Sequence, residues 1–283
     1  MLSSILLLCL LSPLDEREPG SSPEPPRNAR RVFLSGLDHF EGVGAKEFQS
    51  ELVIFVDREL SKTSRASDEA SRRDRTALLV GLGALFDSGD VLRNIPLVGK
   101  LLQGIIQSPE ERAARNKICS NARIEGRHDA PKHFFLAAAL ATRGGPGPAA
   151  QASLLKEFED ARRYDSTPPN GTGFSYLDLA YDHAGIRFAS WLLGWKAPPR
   201  LTEAPPSLTA FLPPFRDLKL PERIGWQRFQ EEYRGDRTEA YLDQIHAAID
   251  ARLAEQTASE SPAATPDPPG GESEERADRP GPL

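Results

Sequence analysis

From residue 45 onward, apolar positions recur mostly at three- and four-residue spacing, the period of a helix with one face turned inward. In residues 45–62, Phe48, Leu52, Phe55 and Leu60 roughly keep that spacing. The β-branched run Leu52–Val56 would also suit a short strand, but the dense Glu, Lys and Arg around it favour helix. A helix is predicted from Ser67 to Phe86, with Ser67 as N-cap and Asp68 and Glu69 in its first turn. Ser88-Gly89-Asp90 turns the chain, and short helical pieces are expected between Val91 and Ile106 around Asn94-Ile95-Pro96. Ser108-Pro109-Glu110-Glu111 places an N-cap serine, a first-position proline and an N3 glutamate in order, a capping box that starts a helix running to about Ser120.

Three helical patterns then follow one another between His128 and Trp195. The first starts at Asp129 as N-cap, with Pro131 in its first turn, and aligns His133, Leu136, Ala137 and Leu140 on one face. His133 therefore points inward, and Lys132 lies at the edge, where its ammonium can reach a carboxylate. The second runs from about Pro148 to Arg162 and sets Glu157 and Asp160 one turn apart on one side, with Lys156 four residues before Asp160. The third follows Asn170-Gly171-Thr172-Gly173, with Ser175 as N-cap, Asp178 at N3, and Phe174 and Leu179 as a hydrophobic staple. Asp178, Asp182, Gly185 and Ile186 share a face there. A mid-helix glycine costs about 1 kcal/mol against alanine, and close approach of a neighbouring helix would offset it.

Proline changes the picture beyond Trp195. The run APPRLTEAPPSLTAFLPPF is expected to lie as an extended arm over the core through Leu208, Phe211, Leu212 and Phe215. Asp236 with Glu239 reads as a second capping-box start, and Tyr241, Ile245, Ile249 and Leu253 make one apolar stripe on the helix that follows. His246 falls one position off that stripe and reads as a surface residue. The expected architecture is all-α, an irregular helical bundle with disordered N- and C-terminal ends. Its divisions are a signal peptide at 1–13, a disordered linker at 14–30 and a helical core at 31–195. A Pro-rich arm and C-terminal helix at 196–255 pack on that core, and a disordered tail occupies 256–283.

Composition adds limits. The chain has 283 residues, 25 Pro, 22 Gly and a net charge of −6. An acidic chain with no basic stripe gives no footprint for nucleic acid. The apolar run Ile5–Leu11 is too short to span a bilayer and suits the h-region of a secretory leader, so export to the periplasm or envelope is expected, with a cytosolic tail as the alternative. No later apolar run is long enough to cross a membrane without a charge. The expected partner is a membrane surface or an envelope component. Cys9 lies in the leader, and the other cysteine, Cys119, reads as a small buried apolar residue.

The chemistry concentrates in the three central helices. His133, Glu157, Asp160, Asp178 and Asp182 form a donor set able to bind a divalent metal, with His133, Glu157 and Asp182 as catalytic candidates. The same residues, with Lys132, Lys156 and Ser175, read first as a structural polar network, with the metal or catalytic site as its rival. In that reading His133 bonds a carboxylate, the cations answer the acids and Asp178 caps its own helix. The Gly171–Ser175 turn at a helix start is explained by ordinary capping rather than by phosphate binding.

The motifs Lys132-His133-Phe134, Lys156-Glu157 with Asp160, and Gly173-Phe174-Ser175 with Asp178, Leu179, Asp182 and Gly185 resemble a pattern in bacterial YfiM-like envelope lipoproteins, a group distantly linked to VanZ-like proteins. The resemblance covers about a quarter of the chain and implies an exported helical protein of ill-defined activity. Three function classes follow. The first is a non-enzymatic envelope protein with a structural polar cluster. The second is a metal-dependent hydrolase acting on an envelope component. The third is a peptide-binding surface on the Pro-rich arm with Trp191 and Trp195.

Overall fold

The computed structural model describes residues 27–63, 69–88, 105, 108–195 and 207–259. The leader, residues 14–26, the Ser67 cap, nearly all of 91–106, residues 196–206 and the tail beyond 259 lie outside the described residues. The helices are α1 (Arg27–His39), α2 (Phe48–Ser61), α3 (Glu69–Phe86), α4 (Pro109–Asn121), α5 (Ala130–Gly144), α6 (Pro146–Tyr164), α7 (Tyr176–Leu192), α8 (Trp226–Glu232) and α9 (Asp236–Ser259). Two 3-10 turns, Leu208–Phe211 and Phe215–Leu218, lie between α7 and α8. Among the described residues, β structure is confined to two isolated bridges, Ile124–Arg127 and Phe174–Ile224. The fold is all-α.

The helices pack as a chain of neighbours: α1 on α3, α3 on α5, and α5 on α7, with α6 across α5 and α7 and α9 against α7. Two glycines permit the closest approaches. A Cβ on Gly81 would lie 2.8 Å from the Ala29 carbonyl oxygen, so α1 sits directly on α3. A Cβ on Gly185 would lie 2.0 Å from the Phe134 carbonyl oxygen, so α5 and α7 touch backbone to backbone at the predicted position. Aromatic rings fill the seams. Phe86 stacks on Phe135 with centroids 5.0 Å apart, and Phe40 stacks on Phe48 at 5.0 Å.

Several boundaries differ from the sequence reading. Residues 27–30 are the first turn of α1 rather than linker, because Ala29, Val32, Phe33, Gly36 and Phe40 form one buried helical stripe. Residues 256–259 are the last turn of α9 rather than tail. Asp236 is the first helical residue and not the cap, since Thr238 and Glu239 both donate to the Gly235 carbonyl. The arm is coiled into 3-10 turns, yet it buries Leu208, Phe211, Leu212 and Phe215 as expected. The capping box at Ser108 and Glu111 is complete in both directions. The α9 stripe also forms, with Ile245, Ile249 and Leu253 buried.

Candidate functional site

The site is assembled where α5, α6 and α7 meet. His133 projects from the second turn of α5, Glu157 and Lys156 from the middle of α6, and Asp178 and Asp182 from the first half of α7. His133 Nε2 lies 3.2 Å from Asp178 Oδ2, and His133 Nδ1 lies 3.1 Å from Asp182 Oδ1. One imidazole thus spans two carboxylates one turn apart. Lys156 Nζ reaches Glu157 Oε1 at 2.7 Å, Asp160 Oδ2 at 3.1 Å and Asp178 Oδ2 at 3.7 Å. Arg127, in the loop before α5, donates to Asp178 at 2.5 Å, to Asp129 at 2.5 Å and to Glu222.

Glu157 closes the group. Its Oε2 accepts from the Ser175 backbone amide at 2.9 Å, while the Ser175 hydroxyl accepts from the Asp178 amide at 3.0 Å. Half of the expected capping box on α7 is present. The other half is supplied by Glu157 from α6, which leaves the Asp178 carboxylate free to face His133 and Arg127. Asp178 therefore does not cap its own helix with its side chain.

The charges follow from competing effects. Burial alone would lower His133, but Asp178 and Asp182 outweigh it and push the imidazole up to about 10. Burial would raise Asp178, but His133, Lys156 and Arg127 hold it well below the usual carboxylate range. Lys156 is likewise raised, against its burial, by Glu157, Asp178 and Asp160. Glu157 goes the other way. Burial, only partly countered by Lys156, pushes it up to about 7. The Lys156–Glu157 pair is lopsided because the ammonium is shared with two further acids, whereas the Glu157 carboxylate pairs directly with Lys156 alone among the described residues and feels His133 less strongly.

Above this group opens a cleft of about 1210 Å³. Seven Lys and Arg side chains and six carboxylates line it, and His133 adds a further positive charge. Lys132, Arg216 and Arg223 line the cleft and make no ion pair among the described residues. Arg223 also holds a left-handed backbone at φ 55°, unusual for a side chain of its size.

The structure brings His133, Lys156, Glu157, Ser175, Asp178 and Asp182 together, with Asp160 at the rim, where it also accepts from Thr172. Lys132 stands apart from the network and faces the cleft near Cys119. Cys119 is half-buried, lies 3.4 Å from the Leu85 carbonyl, and burial pushes its thiol up to about 11. Among the described residues, one set of three donor atoms lies close enough to share an ion, from Asp129, His133 and Asp178, within 4.8 Å of one another. Asp129 occupies the N-cap position of α5 but makes no capping bond, its carboxylate being turned to Arg127. Arg127, Asp129 and Glu222 were missed as members of the group. The one signal for Arg127 was an excess of acids over cations in the predicted cluster, which demands a cation from elsewhere.

Comparison with protein-family models, curated proteins and solved structures gives no significant match.

Proposed function

We propose that this chain is a non-enzymatic, exported helical protein of the cell envelope, in which the His133 cluster fixes α5, α6 and α7 in register beneath a cleft. The observation that carries this reading is His133 itself. Its two ring nitrogens each face a carboxylate within 3.2 Å, and Asp178 and Asp182 hold the ring protonated, which leaves no lone pair for a metal or for proton abstraction. Glu157, Asp178 and Asp182 each meet a protein cation or a backbone amide, which is how interior charge is tolerated without an ion. Export rests on the apolar run Ile5–Leu11, in keeping with the resemblance to YfiM-like envelope proteins. The surplus cations Lys132, Arg216 and Arg223 suit an anionic envelope component as the cleft's partner.

A second reading, a metal-dependent hydrolase, draws support from the proximity of Asp129, His133 and Asp178. Oxygen-rich donor sets select Mg²⁺ or Mn²⁺. Loading would require Arg127 to leave Asp129 and His133 to give up a proton. Melting curves of the whole protein in MgCl2, MnCl2 and chelator separate the two. The structural reading expects one melting temperature in all three, and an Asp182→Asn variant lowered equally in each. A melting temperature that climbs with Mn²⁺ and stops doing so in Asp129→Asn moves the assignment to the hydrolase.

A further inference from the structure

A second pair of titratable side chains joins α7 to α9, outside the His133 cluster. His183 Nδ1 lies 2.9 Å from His246 Nε2, with ring centroids 4.7 Å apart and planes inclined at 64°. One turn further along both helices, Arg187 pairs with Asp250. Ile245 and Ile249 anchor the same stretch of α9 in the core. The two imidazoles are thus held by rigid elements on both sides, and their separation is not left to mobile loops.

That separation matches a coordination edge. Metal–imidazole bonds are about 2.0–2.1 Å long, so two nitrogens bound at a right angle lie about 2.9 Å apart. We infer that His183 and His246 form a two-imidazole site for a borderline divalent transition ion, copper(II) or nickel(II), which pins α9 to α7. The ion replaces the nitrogen-to-nitrogen hydrogen bond. Each ring then carries one proton, on the nitrogen facing away, His183 Nε2 and His246 Nδ1, and a ring that starts as an imidazolium gives its second proton to solvent. Water fills the remaining positions. Tetragonal nitrogen sites select copper above nickel, while Mg²⁺ and Mn²⁺ require oxygen donors that this pair lacks. Burial, then the neighbouring His246, draws His183 down to about 4, so its ring is neutral and ready to donate a lone pair at physiological pH. The site shares no residue with the His133 cluster, although Asp182 of that cluster neighbours His183 and acts on it.

The test is calorimetric titration of the metal-free full chain with CuCl2 and NiCl2, paired with the electron paramagnetic resonance spectrum of the copper complex. The expected result is one tight equivalent whose spectrum carries two nitrogen ligands, with nickel raising the melting temperature. His246 is exposed, so His246→Gln keeps its far-UV dichroism. It should weaken copper binding by about tenfold or more and abolish the nickel shift. His128→Gln, at an exposed histidine in neither donor group, leaves both unchanged. Absence of binding, a copper spectrum with fewer than two nitrogens, or binding that His246→Gln does not weaken overturns the assignment.

Discussion

Among the described residues, two glutamates are shut away from water, and their surroundings differ. Glu59 on α2 is 2 % exposed, yet Lys62 at 2.5 Å, Arg31 at 3.3 Å and Arg58 at 3.7 Å all reach it with side chains that stay about half in solvent. Glu157 on α6 is 0 % exposed and has one cation, which two other carboxylates share. Cations that snorkel in from the surface keep their hydration and neutralise an acid at small cost. In the α5–α7 interior a single cation of that kind, Lys156, reaches in and is shared among three acids, so the remaining charge is settled by the His133 imidazolium, the loop arginine Arg127 and a glutamate whose pKa burial raises. A buried acid alone therefore does not mark a site, whereas one that must share its counter-ions does.

The comparison can be broken hardest at Asp178, which faces three cations. Asp178→Asn strands His133, Lys156 and Arg127, and a loss of about 3–5 kcal/mol is expected in denaturant unfolding. Gly185→Ala attacks the same interface without touching a charge. Its new methyl group falls 2.0 Å from the Phe134 carbonyl oxygen, backbone that cannot yield, and a cost of about 3 kcal/mol is expected, measured the same way. His133→Gln should reshape the melting temperature as a function of pH. The raised His133 contributes stability that is complete below its ordinary 6.5 and is lost as pH climbs through about 10, so the variant's alkaline limb should be flat.

The smaller effects sharpen the contrast. Glu157 is also raised, so its contribution is complete below 4.5 and fades as pH rises through about 7. Glu157→Gln should cost under about 1.5 kcal/mol near neutrality and remove that decline from the melting profile. Glu59→Gln should cost about 1 kcal/mol or less, and the loss should shrink in high salt, because its partners are exposed. Were Glu59→Gln the costlier of the two, the distinction drawn between the two settings would collapse.

What could be read from sequence was whatever helical periodicity writes down. The inward lean of His133, Asp178 and Asp182, the serine caps at Ser108 and Ser175, and the close approach at Gly185 all follow from three- and four-residue spacing. What escaped lies in loops or depends on a distant partner. Arg127 is aimed by the local bridge between Ile124 and Arg127, which has no repeat to betray it. Asp129 has the right residue type for a cap, but a nearer guanidinium takes its carboxylate. Lys132 sits at the helix edge, as its spacing requires, and there faces the cleft instead of an acid. The first turn of α1 was hidden by the proline-rich composition before it, which outweighed a short buried stripe.

The bond from the Ser175 amide to Glu157 has a consequence for the order of events during synthesis. Its two ends are only 18 residues apart, and the acceptor is the earlier of the two. A ribosome therefore delivers the carboxylate before the amide that needs it. The Ser175 amide can be satisfied as it emerges, whereas the Tyr176 amide next to it waits for the Pro221 carbonyl, translated 45 residues later. Protection of that amide against deuterium in nascent-chain fragments ending shortly after Leu192 would reveal this early closure.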